Sequence, residues 1–475
     1  MGIGVSNWRL AQAVSKLGQL GVVSGTALDS LFVRRLADGD EGGHLRRGLD
    51  AFPFPEMARR VWQEYFVPGG KAAMAPYPAL PMHQKRSSRK LIELCIVSNF
   101  VEVFLAREGH SNPVGVNYLE KVQMPHLYSI YGAMLAGVGY VLMGAGIPLH
   151  IPGVLDALAA QHATEYKLQV TGAAADQDMQ MRFDPADYVE GPLPVLERPK
   201  FLAIVSSNTL ATTMLRRASG RVDGFVVEGA TAGGHNAPPR GKLQLNPDGE
   251  PVYGDRDRVS IPELRELGVP FWLAGGYGSP AKLREALEMG AAGVQIGTAF
   301  ALSRESGMRA DLKQTLLDQA ASASGKVFTD PLASPTGFPF KVAQIEGTSS
   351  SASTYEQRKR VCDLGYLREP YVAGDGKVAY RCAAEPLESY EAKGGKAEDA
   401  TGRKCLCNAL FANIGHAQVR AGEILEPALI TIGDDLNTVA QFLAPGASSY
   451  SAADVVEALL SPAGAAQHSS EHALA

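Results

Sequence analysis

A short apolar strand followed by bare glycines occurs three times in this chain, and this repeat constrains the fold more than any other feature. The first strand, 223–228, runs into Gly229, Gly233 and Gly234, and the others span 271–276 and 293–298. Strands at this spacing are typical of successive β/α units in a parallel sheet. Glycines at the carboxyl ends of the last strands favour a phosphate-binding rim, because backbone N–H groups can approach an anion there.

His235 directly follows the first glycine loop and is the predicted catalytic residue. An imidazole titrates near neutral pH, so it can take or give a proton under working conditions. The alternative is a histidine that merely satisfies its hydrogen bonds at a strand end. The glycine-rich setting favours the catalytic interpretation.

The pattern formed by 228–235, 274–276 and 295–298 resembles the flavin-binding half of the nitronate monooxygenase family. That family also includes flavin-dependent enoyl reductases, and the segments 112–121 and 334–341 are more similar to the trans-acting enoyl reductases of polyunsaturated-fatty-acid synthases. The resemblance implies an α/β fold, a TIM-type (β/α)8 barrel with insertions, and FMN as cofactor. It also implies NAD(P)H as an electron donor in the reductase branch.

The resemblance implies a catalytic His235, no metal, and a cofactor site made of Asn117, Gly144, Ser206, Glu228, Gly233, Gly234, Gly275, Gly276, Gln295, Ile296, Gly297 and Thr298. Three of these positions have alternatives or depart from the family. Asn117 could be a turn residue, and Ser206 with Ser207 could cap the following helix. Glu228 stands where many family members have glutamine, and a carboxylate donates a hydrogen bond only when protonated.

Two reactions on small molecules are compatible with the resemblance. We expect oxidation of an alkyl nitronate with oxygen to a carbonyl compound and nitrite, with His235 abstracting the α-proton of a neutral nitroalkane or hydrogen-bonding the nitro oxygens. The alternative is NAD(P)H-dependent reduction of an enoyl thioester, with the same histidine assisting protonation or binding. A third hypothesis is a catalytically silent binding protein on a barrel scaffold, which would purify without flavin.

The length of 475 residues accommodates one large barrel and an additional region. We predict a barrel over 1–345 with insertions at about 28–90, 166–199 and 237–259, a mostly helical C-terminal appendage over 346–460 and a flexible tail over 461–475. The expected strands are 20–24, 113–117, 139–143, 201–206, 223–228, 270–275 and 292–297. The apolar run 91–98 either supplies an eighth strand or belongs to a helix through Arg107, and the helix would mean that the first barrel strand is missing from the N-terminus.

Bulk properties exclude several classes of protein. A net charge of −5 gives no basic footprint for nucleic acid, and no apolar run reaches membrane-spanning length. The absence of a signal-peptide pattern and the odd number of cysteines, five, predict a cytoplasmic protein without structural disulfides. A homo-oligomer is compatible with the sequence.

Four of the cysteines fall late in the chain, at Cys362, Cys382, Cys405 and Cys407. Such a cluster suggests a metal or iron–sulfur site, but it contains no C-x₂-C pair and matches no metal site of the family. Buried thiols are therefore the expected state, and the metal remains the alternative.

Overall fold

A curled parallel sheet of seven strands forms the centre of the computed structural model, which describes residues 2–189 and 191–461. The sheet order is β1-β2-β3-β6-β7-β8-β9, and every neighbouring pair is parallel. In chain order the strands are β1 (Gly21–Ser24), β2 (Val114–Leu119), β3 (Tyr140–Gly144), β4 (Thr164–Lys167), β5 (Gln180–Phe183), β6 (Lys200–Val205), β7 (Gly224–Glu228), β8 (Phe271–Ala274), β9 (Gly293–Gln295), β10 (Val327–Asp330), β11 (Phe340–Ala343), β12 (Glu369–Val372), β13 (Val378–Arg381), β14 (Val419–Arg420) and β15 (Ile424–Leu425).

Helices connect the strands and cover the outer face of the sheet. They are α1 (Trp8–Lys16), α2 (Leu28–Ala37), α3 (His44–Asp50), α4 (Pro55–Tyr65), α5 (Arg89–Arg107), α6 (His126–Leu135), α7 (Ile151–Ala159), α8 (Asn208–Arg217), α9 (Ile261–Glu266), α10 (Pro280–Glu288), α11 (Thr298–Ala301), α12 (Ala310–Ala321), α13 (Ala352–Gln357), α14 (Leu387–Ala392), α15 (Ala397–Ala400), α16 (Leu406–Asn413) and α17 (Ala452–Leu460). Short 3₁₀ segments lie at Glu41–Gly43, Pro185–Asp187, Asp255–Asp257 and Asp434–Phe442. No helix within the described ranges is both long and apolar enough to cross a bilayer.

Side chains alternate between the two faces of the sheet, as the period of a β-strand requires. Leu142, Leu202, Val226 and Ala274 form an inner apolar cluster. Their sequence neighbours, such as Phe201 and Phe225, point outwards into the large core shared with the helices. Because the strands bury both faces, they are continuous apolar runs rather than alternating ones. The predicted α/β barrel class is confirmed.

Of the two alternatives for the run 91–98, the helix through Arg107 is confirmed and the eighth strand is wrong, because this run lies inside helix α5. Ser88 caps that helix by accepting a hydrogen bond from the backbone N–H of Leu91 at 3.3 Å. The helix is buried on nearly all sides, so it lacks the polar stripe that distinguishes a surface helix from a strand. Within the described residues the sheet has seven strands, and β1 does not pair with β9.

The predicted insertions take different forms. Helices α2, α3 and α4 pack on α5 within 28–90. Strands β4 and β5 pair as an antiparallel hairpin at the second insertion, whereas the third contains a single antiparallel bridge between Leu245 and Pro251 around a turn at 246–249.

The region beyond residue 345 contains two small hairpins, β12–β13 and β14–β15, besides its helices. Its side chains Phe411, Ile430, Leu436 and Tyr450 belong to the same hydrophobic core as the barrel. Of the predicted tail, 461–475, Ser461 is described and the rest lies outside the described residues.

Candidate active site

A cavity of about 580 Å³ opens at the carboxyl ends of the parallel strands. This volume is in the range of small-molecule and cofactor sites. Its lining includes all but one of the residues expected from the sequence: Asn117, Gly144, Glu228, Gly233, Gly234, His235, Gly275, Gly276, Gln295, Ile296, Gly297 and Thr298. Ser206 is not part of the lining, whereas Ile204 on the same strand is. Ser207 caps helix α8 by accepting from the backbone N–H of Leu210 at 3.1 Å.

Two glycines on the rim cannot be replaced without consequence for a ligand. Gly276 has φ +76°, the left-handed region that favours glycine, and a Cβ there would meet only one atom within 4 Å, Thr231 Oγ1 at 3.7 Å. Gly297 has φ −109°, and a Cβ there would meet nothing within 4 Å. Space next to both backbones is therefore open to the cavity, as a cradle for an anionic group requires.

Three polar side chains end in the cavity without a partner. Among the residues that the structure describes, no hydrogen bond involves the amides of Asn117 and Gln295 or the carboxyl of Glu228, although all three line the cavity. Polar groups in such a setting usually bond to a ligand or to water. Burial raises the pKa of Glu228 to about 7, so near neutral pH a large fraction of this carboxyl is protonated and can donate. The acid can thus act as a donor where the family commonly has glutamine.

His235 packs against the segment 334–341, which is hydrogen-bonded to the glycine loop. Its Nε2 is 2.7 Å from Ser334 Oγ, and its ring packs on Phe340 with centroids 4.7 Å apart. The backbone N–H groups of Asn236 and Lys341 donate across the gap to the carbonyls of Pro339 at 2.9 Å and Gly234 at 3.0 Å. Burial lowers the pKa of His235 to about 3, so the imidazole is neutral at physiological pH.

A short segment near the C-terminus completes the rim and was missed by the sequence reasoning. Thr431 Oγ1 accepts from the N–H of Gly234 at 2.7 Å, and the N–H of Gly433 donates to Thr298 Oγ1 at 3.2 Å. Thr298 Oγ1 also donates to the carboxyl of Asp435, which lines the cavity. Burial raises the pKa of Asp435. The segment was expected in the C-terminal appendage, and no local spacing links it to a glycine loop almost 200 residues away.

A family comparison bears on this site. The model of the nitronate monooxygenase family matches residues 183–330, which include the glycine loops and His235. This part of the chain is similar to the nitronate monooxygenase family. The resemblance expected from the motifs is confirmed over these residues.

A curated nitronate monooxygenase and a probable one are similar to part of this chain. A nitronate monooxygenase of Pseudomonas aeruginosa is 33% identical over 140 residues, which are 29% of this chain and 37% of the relative. A probable nitronate monooxygenase of Bacillus subtilis is 35% identical over 127 residues, 26% of this chain and 34% of the relative. The matched region thus spans little more than a third of each relative.

One solved structure similar to this chain is FabK from Thermotoga maritima, with 16% identity and a TM-score of 0.45 over 96% of this chain and 88% of that one. At these values the likeness gives no argument about the reaction.

Proposed function

We propose that this protein is an FMN-dependent oxidoreductase that reduces an enoyl thioester, with NAD(P)H as the hydride donor. The cofactor part of this proposal is supported by the open glycine cradle and the three polar groups without partners. Gly276 and Gly297 would hold the phosphate through backbone N–H groups. Asn117, Glu228 and Gln295 would hydrogen-bond the ring system. When bound, the flavin supplies the hydride chemistry that no side chain can supply.

The charge of the cavity carries the choice of substrate. Among the described residues of the lining, none is lysine or arginine, whereas Glu228 and Asp435 are acids. A nitronate anion would lose hydration here and would find no lysine or arginine in the lining to pair with, and such a burial is costly. A thioester is neutral and does not carry this penalty. Its apolar chain also suits a lining rich in leucine, valine and isoleucine.

His235 would act on the thioester as a neutral imidazole. If Nε2 accepts a hydrogen bond from the Ser334 hydroxyl, the proton of the ring is on Nδ1. That N–H can donate to a carbonyl oxygen and stabilise the negative charge that develops there during hydride addition at the double bond. The low pKa keeps the ring neutral at physiological pH, and the neutral ring still has one N–H group to donate. The packing of the ring against Phe340 fixes its orientation.

Oxidation of alkyl nitronates is the second candidate. The two curated relatives are a nitronate monooxygenase and a probable one, and a neutral nitroalkane would avoid the charge penalty. His235 would then serve as the base for the α-proton.

Parallel assays distinguish the two reactions. Purified protein is supplied with NADPH and a crotonyl thioester without oxygen, and separately with propionate 3-nitronate and oxygen. We expect NADPH oxidation coupled to loss of the enoyl double bond, and loss of this turnover in His235→Ala. The control is His162→Ala, since His162 is exposed outside the cavity. Oxygen consumption with nitronate in the absence of thioester reduction would overturn the proposal in favour of the second candidate.

A further inference from the structure

The four late cysteines meet around one small cavity, although they are far apart in the chain. Cys362, Cys382, Cys405 and Cys407 all line it, and the rest of the lining is proline, leucine, glycine and alanine. All four thiols are free. The cavity therefore offers sulfur as its only side-chain ligand atom, which is the donor set for soft metals and iron–sulfur clusters.

Local structure holds the four cysteines in place. Cys382 directly follows strand β13, Cys405 is the N-cap residue of helix α16, and Cys407 lies in its first turn. Arg360 ties these segments together, because its guanidinium donates to the carbonyls of Ala383, of Glu385 at 2.9 Å and of Ala400 at 3.2 Å. Bonds from one half-buried arginine to several main-chain carbonyls leave little freedom to the loops that carry the thiols.

One of the sulfur atoms already accepts an N–H hydrogen bond. Asn408 Nδ2 donates to Cys405 Sγ at 3.5 Å. Such a bond stabilises a thiolate and is typical of sulfur that ligates a metal.

The spacing of the sulfur atoms argues against a single ion. Four thiolates around one zinc, at about 2.3 Å each, lie about 3.8 Å from one another. In the described part of the chain, one group of three or more potential ligands has all its atoms within 4.8 Å, and this group is Asp29, His83 and Cys95. No three sulfur atoms of the cysteine cluster are that close together. A four-iron cluster holds its cysteines farther apart, because several metal atoms lie between them.

We propose that Cys362, Cys382, Cys405 and Cys407 bind an iron–sulfur cluster of the [4Fe–4S] class. Each thiol would release its proton to solvent as its Fe–S bond forms, and the cell would supply ferrous and ferric ions in equal number together with inorganic sulfide, so that the [4Fe–4S] core forms without a further oxidant. The arginines around the site suit the net negative charge of such a cluster. Arg368 interacts electrostatically with Cys362, Cys382 and the carboxyl group of Glu385, and its hydrogen bonds go to the carbonyls of Gly365 and His83.

The cluster would lie next to the proposed flavin site. Leu367, Leu406 and Cys407 line both the cysteine cavity and the large cavity. The cysteine cavity and the large cavity are thus separated by a layer one residue thick. The cluster proposal does not depend on the proposed reaction, since it rests on the cysteines alone.

Anaerobic reconstitution of the full chain with equal amounts of ferrous and ferric iron and with sulfide tests the cluster. We expect about four iron and four acid-labile sulfide per chain, and a paramagnetic signal after reduction. Cys362→Ser and Cys407→Ser should each lose most of the bound iron. The matched control is Cys95→Ser. Cys95 is a buried thiol that does not line the cysteine cavity, and its sulfur lies 3.2 Å from Ser129 Oγ. This variant should keep the bound iron.

The metal content of the wild-type chain tests the cluster proposal even if a variant fails to fold. One zinc per chain without sulfide, or no iron after reconstitution of folded protein, would overturn the cluster. FMN content is measured on the same samples, so that failure of the flavin proposal is seen separately.

Discussion

Replacing Gly297 by alanine tests the phosphate cradle without disturbing the fold. The backbone at Gly297 has φ −109°, which alanine adopts without the left-handed penalty, and the new methyl group would meet no atom within 4 Å. The free energy of unfolding should therefore stay the same or rise by up to about 1 kcal/mol, because alanine restricts the unfolded chain. The unliganded protein gives no reason for a glycine here.

The same methyl group would occupy space that a bound phosphate needs. Loss of one hydrogen bond between a backbone N–H and a charged oxygen costs about 1.5–3 kcal/mol, which raises the Kd for FMN by about 10- to 150-fold. The assay is a titration of free FMN fluorescence with the apoprotein, alongside urea unfolding of each variant.

Gly254→Ala is the matched control, since Gly254 has φ −111°, an equally open Cβ position and an exposed place outside the cavity. It should bind FMN like the wild type. If Gly297→Ala also bound FMN with unchanged affinity, the placement of the phosphate at this rim would be refuted.

Three further predictions concern the ionisable groups of the cavity. Because burial lowers the pKa of His235 to about 3, the pH profile of kcat should show no ionisation near 6.5. The neutral imidazole would be contradicted if the wild type lost activity on acidification through pH 6.5 and a His235→Gln variant did not. The raised pKa of Glu228, about 7 rather than 4.5, means that the native state binds more protons than the unfolded state between these values; wild-type stability should fall as pH rises through this window relative to Glu228→Gln, and parallel urea-unfolding curves would contradict this. Asp435→Asn removes an acid beside the proposed phosphate and should tighten FMN binding by several-fold in the same fluorescence titration, whereas weaker binding would indicate that the carboxyl is a required ligand.

The site was predictable where its signal is local. Glycine loops that follow apolar strands mark the ends of β7, β8 and β9. Because these strands are parallel and consecutive, His235, Gly276 and Gln295 are expected at one edge of the sheet. Thr431 and Asp435 could not be found in this way, because their contact with the loop depends on how the C-terminal region returns to the barrel. Ser206 was misleading because its neighbour Ser207 caps the helix while Ile204 faces the cavity.

The fold was least predictable where burial is uniform. Helix α5 is apolar on nearly all sides, so its sequence carries neither the helical nor the strand period, and only the packed structure decides. The cysteine cavity illustrates the same limit in another form. The spacing of Cys362 and Cys382 matches no metal motif, yet the β12–β13 hairpin between them and the bonds of Arg360 bring the thiols to one cavity.

The most direct test of the flavin site is the visible absorption spectrum of the purified full chain, recorded with a protein quantification before and after incubation with FMN. We predict a flavin spectrum at one FMN per chain. The wavelengths of its bands should shift from those of free FMN, because the ring lies in a largely apolar cavity beside His235. A folded protein that carries no flavin, and takes up none when it is added, would contradict the assignment of this cavity as the active site of a flavoenzyme.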